Sequence, residues 1–332
     1  MAFSFRTHLN VFLGLVISAL AVYLSLRKID FTALWESMRS VHYGVLILAG
    51  LIQMLCFVLK GSAWRFLLLP AKRDIRVMSA ISVLVIGLMM NNVFPAKMGE
   101  LARAYFMGKR EGLPKSLCLS TVMVEHLLDI LVLTLFLLIL LPLVSLPPWL
   151  RISGLLVGLA GISAIVALFF LMRREEKFLG WMTKILRILP ERFRARIQVI
   201  LANAIQGFRA VTGRNILYAF GSLFAMWCVA FTVAYVVLHA CRLDLPFQAA
   251  VMVVIFVAFG KLIPSSPASI GTYHYAMILV LTSFQVSKEA ALGSAIILHA
   301  FAFLIEVTLG VIALFAGHVS LSGFQRQAEE TP

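Results

Sequence analysis

The sequence predicts an all-α polytopic membrane protein with about six spanning helices and two broken, re-entrant helix hairpins in an inverted repeat. Three observations predict it. Of its 332 residues 61% are hydrophobic and only 13% are charged, too apolar a balance for a soluble globular domain. Two apolar runs, Ile81–Met90 and Ala249–Phe259, stop short of a crossing, which takes about 20 apolar residues at ~1.5 Å rise each. Both run into polar, Pro-containing breaks, Asn91-Asn-Val-Phe-Pro95 and Lys261-Leu-Ile-Pro264-Ser-Ser-Pro267. Finally, the pattern around the first break returns 172 or 173 residues later. Pro95-Ala-Lys-Met-Gly99 matches Pro267-Ala-Ser-Ile-Gly271, Leu113-Pro-Lys115 matches Val286-Ser-Lys288, and a His follows each Lys after eleven residues, His126 and His299.

In chain order, a short basic start leads into a first span over Leu9–Leu26, closed by Arg27-Lys-Ile-Asp30. Its Ser-Ala-Leu-Ala stretch resembles a signal-peptidase site, but the apolar character of everything downstream favours a retained helix. Phe31–Val41 has apolar residues at helical spacing and reads as an interfacial helix. Tyr43–Leu59 is the second span, with a continuation through Lys60 to Leu69 left open and Trp64-Arg65 as an interface anchor. Lys72, Arg73 and Arg76 form a basic turn, and Ile81–Pro95 with Gly99–Gly108 makes the first broken hairpin. Leu117–Leu141 and Leu150–Leu171 are the third and fourth spans. Between them and the fifth span, Asn215–Cys241, residues 173–214 mix many Arg and Lys with Phe178, Trp181, Ile185 and Leu189, the pattern of a basic amphipathic segment on an anionic membrane surface. Gln248–Phe259 and Thr272–Val286 flank the second break, Ala290–Ala316 is the sixth span, and 317–332 is a polar tail. The whole, 1–332, reads as one integral membrane domain, with a first repeat at 43–145 (break at 91–99) and a second at 215–317 (break at 260–271).

A cytoplasmic N-terminus places Lys72, Arg73, Arg76, Lys109, Arg110, Lys115 and the 173–214 cluster on the cytoplasmic side. Arg27, Lys28, Arg39, Arg151, Arg242 and Lys288 fall on the other. This bias agrees with a multi-pass protein of the plasma (bacterial inner) membrane with both termini cytoplasmic. The formal charge of +14 has the same origin, so nucleic acid is not expected as a partner. In that orientation the first hairpin enters from the cytoplasm and the second from outside. Inverted repeats with interrupted helices are a transporter signature, with the binding site between the repeats.

The breaks carry the candidate site. A helix starting near Gly99 and another near Gly271 present unpaired N–H groups and partial positive charge, which favours an anion. Lys97, Arg103 and Lys261 add charge, and Asn92, Glu100 and Ser266 complete the expected substrate contacts. Glu100 and Arg103, three apart, are placed either to pair locally or to touch a ligand. Glu125, His126 and Asp129 share a helix, as do His299 and Glu306, and each set reads as a proton relay or as a polar network at a helix interface. Asn91, Asn92, Ser265, Ser266 and Ser269 are expected to satisfy backbone groups at the breaks, with ligand contact as a second role. These residues do not specify a metal site, and no cofactor is expected. Cys56, Cys118, Cys228 and Cys241 form no C-x-x-C pair and read as packing residues.

The stretch F-P-A-K-M-G-E-L-A-R-A-Y, the later V-E-H-L-L-D and I-P-S-S-P-A-S-I-G-T-Y-H together resemble the membrane region of lysylphosphatidylglycerol synthases, a broad family of flippase-like membrane proteins. Its P-x-x-x-G-E-x-x-R pattern falls on Pro95, Gly99, Glu100 and Arg103. Its acidic-basic-x-x-Asp pattern falls on Glu125, His126 and Asp129, where Arg is commoner than His126. Its S-P-G-x-x-G-x-x-E pattern falls on Ser266, Pro267, Gly271 and His274, with Ala268 in place of a Gly and His274 in place of the usual acid. The resemblance implies movement of a lipid between leaflets, by the part that accompanies a soluble synthase domain in those enzymes. The expected function is a flippase-like lipid transporter for an amphiphile with a phosphate-containing head group, and its expected partners are membrane lipids with anionic head groups. No G-x-x-x-x-G-K-[ST] motif is present, so transport is expected to be passive or ion-coupled. The rivals are a membrane-embedded transferase on a lipid-linked substrate, disfavoured by the lack of a nucleophile–base signature, and a non-transporting accessory protein of a lipid or glycan synthesis complex. A homo-oligomer or a lipid-synthesis partner fits either.

Overall fold

The structure, a computed structural model, describes residues 5–94, 98–144, 147–148, parts of 151–163, 213–263 and 265–316. Its helices are α1 (Phe5–Leu26), α2 (Phe31–Arg39), α3 (Tyr43–Leu68), α4 (Val77–Val93), α5 (Met98–Glu111), α6 (Lys115–Leu140), α7 (Arg214–Ala240), α8 (Phe247–Gly260), α9 (Thr272–Ser283) and α10 (Lys288–Ala316), with a 3₁₀ turn at Pro267–Ser269. Among the described residues, four helices are long and apolar enough to cross a membrane: α3, α6, α7 and α10. The chain is therefore an all-helical membrane protein. The expected first span is α1, apolar over Gly14–Leu26. Most of the expected fourth span, nearly all of the basic segment and the tail lie outside the described residues, as does Lys97.

The two short apolar helices behave as their sequences require. Helix α4 has 17 residues and α8 has 14, so they reach about 26 Å and about 21 Å against a hydrocarbon layer of ~30 Å. Helix α4 ends when Phe94, just before Pro95, turns extended. The chain then doubles back through α5, which closes at Gly112 (φ 68) with Leu113 N–H on the Gly108 carbonyl at 3.1 Å. Helix α9 closes in the same way, at Gln285 (φ 65) with Val286 N–H on the Leu281 carbonyl at 3.2 Å. Each half thus runs long, short, short, long: α3 to α6, then α7 to α10.

Helix α3 packs along α7, α4 along α10, and α1 against α9. A ring cluster, Phe136 with Phe224 and Phe231 at 4.9 Å each, joins α6 to α7. Gly154, Gly158 and Gly161 bring the 154–163 stretch onto the C-terminal half of α6 at Leu141, Leu138 and Thr134. Helix α2 is shorter than expected and ends at Arg39; Asp30 caps it, accepting from Thr32 N–H at 2.8 Å. It buries Leu34 and leaves Phe31 and Trp35 exposed, as an interfacial helix would. Lys288 at the start of α10 donates to the carbonyls of Leu24 (2.9 Å) and Arg27 (2.6 Å), holding the C-terminal end of α1.

One expectation fails. Trp64 is not an interface anchor: α3 continues unbroken to Leu68, and Trp64 is fully buried with its indole N–H on Thr121 Oγ1 at 3.0 Å. Its neighbour Arg65 donates to the Ile75 carbonyl at 2.6 Å. Helix phase decides this, because Trp64 falls on the face of α3 turned towards α6 while Arg65 points to the turn before α4. Cys56, Cys118 and Cys241 are buried free thiols, and Cys228 is half-buried.

Candidate functional site: two interrupted helices and a buried charge cluster

Helices α4 and α5 cross very closely where the chain doubles back. A Cβ on Gly99 would run into the Gly87 carbonyl and the Asn91 side chain, and one on Gly87 would run into Arg103. Only glycine permits this approach. Asn91 accepts the Gly99 N–H at 2.8 Å and donates to Glu100 Oε1 at 3.2 Å, so it fills one of the donors freed at the start of α5. Asn92 does something else: its amide donates to Glu306 Oε2 on α10 at 2.6 Å.

Arg103 and Glu100 do not pair with each other. Arg103 projects from α5 into the protein, only 4% exposed, and forks onto Glu125 of α6, with Nη1 to Oε1 at 3.2 Å and Nη2 to Oε2 at 2.5 Å. The Trp64 ring lies 4.2 Å from its guanidinium. Lys60 of α3 completes the cluster, 2.6 Å from Asp129 and 3.3 Å from Glu125. Asp129 also accepts from Trp227 of α7 at 2.8 Å. Two cations thus meet two carboxylates near the middle of α6, so these four side chains balance one another's charge. His126, on the next face of α6 and half-exposed, lies 3.4 Å from Glu100 and 4.0 Å from Asp129. Glu100 Oε2 and Arg103 Nε are buried without a hydrogen-bond partner among the described residues and keep bonding capacity beside the first break.

Among the described residues, the second break carries no such cluster. Ser266 N–H goes to Ser18 Oγ of α1 at 2.7 Å, and Ser266 Oγ donates to the Ile270 carbonyl at 3.1 Å. Gly271 has φ 93 and lies against α1, where a Cβ would be 2.5 Å from the Ser18 carbonyl oxygen. Ala268 and Ser269 are also left-handed, at φ 54 and 57, a conformation that disfavours residues with a Cβ. His299 and Glu306, on one face of α10, are not joined: Glu306 takes Asn92, while His299 stacks on Tyr273 at 4.4 Å and meets His274 Nε2 through Nδ1 at 3.4 Å. Lys261 is exposed beside the Tyr273 ring, 5.3 Å from its centroid, and has no carboxylate partner among the described residues. No group of three or more metal-binding side chains converges among the described residues.

Next to the second break, an apolar cavity of about 700 Å³ lies between α1, α6, α8 and α9, lined by residues such as Leu20, Phe256, Phe259 and Tyr275. It reaches α6 at Ile130, the residue after Asp129.

Lys60, Trp64, Thr121 and Trp227 are not among the site residues that the sequence points to, and His274 is marked there only by the family pattern. Lys60 carried a usable signal, a lone ionisable residue inside an apolar run. Nothing local marked Thr121 or Trp227, whose roles depend on which helices touch.

Comparison with known proteins agrees with this architecture. Residues 11–310 match the family described as the lysylphosphatidylglycerol synthase TM region. A UPF0104 membrane protein of Methanocaldococcus jannaschii is 22% identical over 319 residues, covering 90% of this chain and 91% of that protein. The glycosyltransferase AglD of Haloferax volcanii is 23% identical over 357 residues, covering 96% of this chain but only 56% of AglD.

Proposed function

The chain belongs to the lysylphosphatidylglycerol synthase transmembrane-region family, and from that membership we propose that it is a flippase-like transporter moving an amphiphile with a phosphate-containing head group between leaflets. One observation carries the reading: a polar site at interrupted helices adjoins an apolar cavity through consecutive residues of α6, Asp129 and Ile130. That pairing suits a molecule with a charged head and a hydrocarbon chain. The long-short-short-long order of both halves supports an inverted repeat, with the first hairpin entering from the cytoplasm and the second from outside.

The head group would be held at the breaks by Asn92, Lys97, Gly99, Lys261, Ser266 and Gly271. Arg103 and Glu100 have a double role here. Glu125 neutralises most of Arg103, so Arg103 shapes the site first and offers only its Nε to a ligand. Lys261, exposed and without a carboxylate, is the cation better placed to meet a phosphate.

The relative named glycosyltransferase AglD favours a second reading, in which this domain serves the handling of a lipid-linked sugar. Labelled phospholipids with anionic, zwitterionic and cationic heads in proteoliposomes separate the two. A transporter moves anionic lipids selectively, and Lys261→Ala slows them by about tenfold, the worth of one charge-assisted hydrogen bond. If folded protein moves none of them, the transport reading fails and the sugar-linked reading is next to be tested.

A further inference from the structure

The second break is tied to α10 by a chain of hydrogen bonds through two histidines. Gly271, the N-cap of α9, donates its N–H to His274 Nδ1 at 3.4 Å, a ring standing where a capping box places a Glu or Gln. That bond requires Nδ1 of His274 to be unprotonated. In the neutral ring the proton then resides on Nε2, which faces His299 Nδ1 at 3.4 Å and donates to it. His299 is thereby an acceptor at Nδ1, with its own proton on Nε2. The chain of bonds runs from Gly271 through His274 to His299 and holds only when both rings are neutral.

It holds a strained segment. Ala268, Ser269 and Gly271 all have positive φ, and such backbone persists only where the surroundings over-determine it. Other ties of the break include the Ser266–Ser18 contact, the Ser266–Ile270 bond and the Thr272 hydroxyl on the Ser269 carbonyl.

We propose that the His274–His299 pair is a proton-binding latch, in which one added proton opens the chain of bonds and frees the second break. A proton on His274 Nδ1 removes the acceptor of Gly271 N–H; a proton on His299 Nδ1 turns the His274–His299 contact into two opposed donors. The charged and titratable groups facing the pair are Tyr273, stacked on His299, Lys261 beside that ring, and Glu306 two turns along α10, whose charge reaches Tyr273. Helix α8 carries no titratable side chain, α1 presents Ser18 to the break, and α4 presents Asn92. The link to function rests on the transport reading: there, a proton that opens one break couples a proton gradient to substrate movement.

Hydrogen exchange of the full-length protein in lipid nanodiscs tests the latch without any transport assay. Between about pH 7.5 and about pH 4, a window that runs through and well below ordinary histidine titration, protection of 265–275 should fall about fivefold beyond the chemical effect of pH. Protection of α7 should stay constant. His274→Gln and His299→Gln should each remove the pH dependence. Nitrogen-15 histidine spectra of the wild type provide a readout that no variant can confound. They should show both rings as the Nε2–H form at the upper pH, with an Nδ1 gaining a proton where the break opens. Unchanged protection, Nδ1–H tautomers, or a pH dependence that survives both substitutions in folded protein overturns the latch. A latch that opens in protein that moves no lipid leaves the inference standing and removes the transport reading instead.

Discussion

Arg103 shows how a single side chain can organise a membrane site. It is nearly fully buried and its charge is matched by Glu125, with Lys60 and Asp129 balancing beside it. Removing one partner of such a cluster leaves an unpaired charge. Arg103→Ala should therefore lower stability by about 3–5 kcal/mol, measured by thermal unfolding in detergent. The double variant Arg103→Ala/Glu125→Gln should recover part of that loss, and an additive result would show that the pair is not coupled. A second residue-scale outcome concerns Ala268, at φ 54 where the family pattern has Gly. Ala268→Gly should stabilise the second break by about 1 kcal/mol, the cost of left-handed backbone with a Cβ, seen as slower exchange of 265–271. Faster exchange would mean that the extra freedom of glycine in the unfolded chain outweighs the strain.

At the scale of elements, the crossing of α4 and α5 depends on the absence of side chains at Gly87 and Gly99. Gly99→Ala must push the helices apart or break the Asn91 cap, and should cost about 2–3 kcal/mol as overpacking. A melting temperature equal to wild type would show that the crossing can relax. The turn before α4 is stapled to the end of α5: Lys72 Nζ meets Glu111 Oε2 at 2.8 Å and the Glu111 carbonyl at 3.2 Å. Burial opposes ionisation of Glu111, but the hydrogen bonds from Lys72 and Ser79 and the charges of Lys72 and Arg110 outweigh it and hold the carboxyl below its usual range. Chiefly through its hydrogen bond to Glu111, Lys72 is raised above the usual lysine range. The lowered carboxyl contributes stability above its unfolded pKa that is lost as pH falls through the folded value. The raised ammonium contributes stability at and below its unfolded pKa that is lost as pH rises through the folded one. The staple should therefore persist from about pH 5 to about pH 10 and fail outside that window. Beyond the chemical effect of pH, exchange at 69–76 should speed up below it in the wild type, and Glu111→Gln should lose protection there equally at all pH values.

For the whole molecule, the two ends at which the hairpins leave the membrane are the sharpest test of orientation. Single cysteines at Glu111 and at Gln285, in a background without the native thiols, should react with an impermeant maleimide from opposite faces of the membrane: Glu111 from the cytoplasm, Gln285 from outside. Labelling of both from one face would remove the inverted repeat and with it the structural case for alternating access.

The helices, their approximate ends and the two interruptions were legible in the sequence because each depends on neighbours along the chain. Apolar run length sets whether a helix can cross, and Pro95 stops α4 at Val93, past Asn91 and Asn92, as Pro264 with Pro267 bars any continuation of α8. The family was legible too, since its motifs lie at those breaks. Partner choice was not. Glu100 and Arg103 stand three apart and look like a pair, yet Arg103 reaches across to Glu125, and Glu100 turns to Asn91 and His126. Trp64 reads as an interface residue and is instead buried under Arg103. His299 shares a face with Glu306 and bonds to His274. In each case the competing contacts are close in energy along one helix, and the choice falls to whichever side chain another helix brings near. Sequence spacing sets which residues share a face; only the packing of α3, α6, α7 and α10 around the two interrupted helices sets what that face meets.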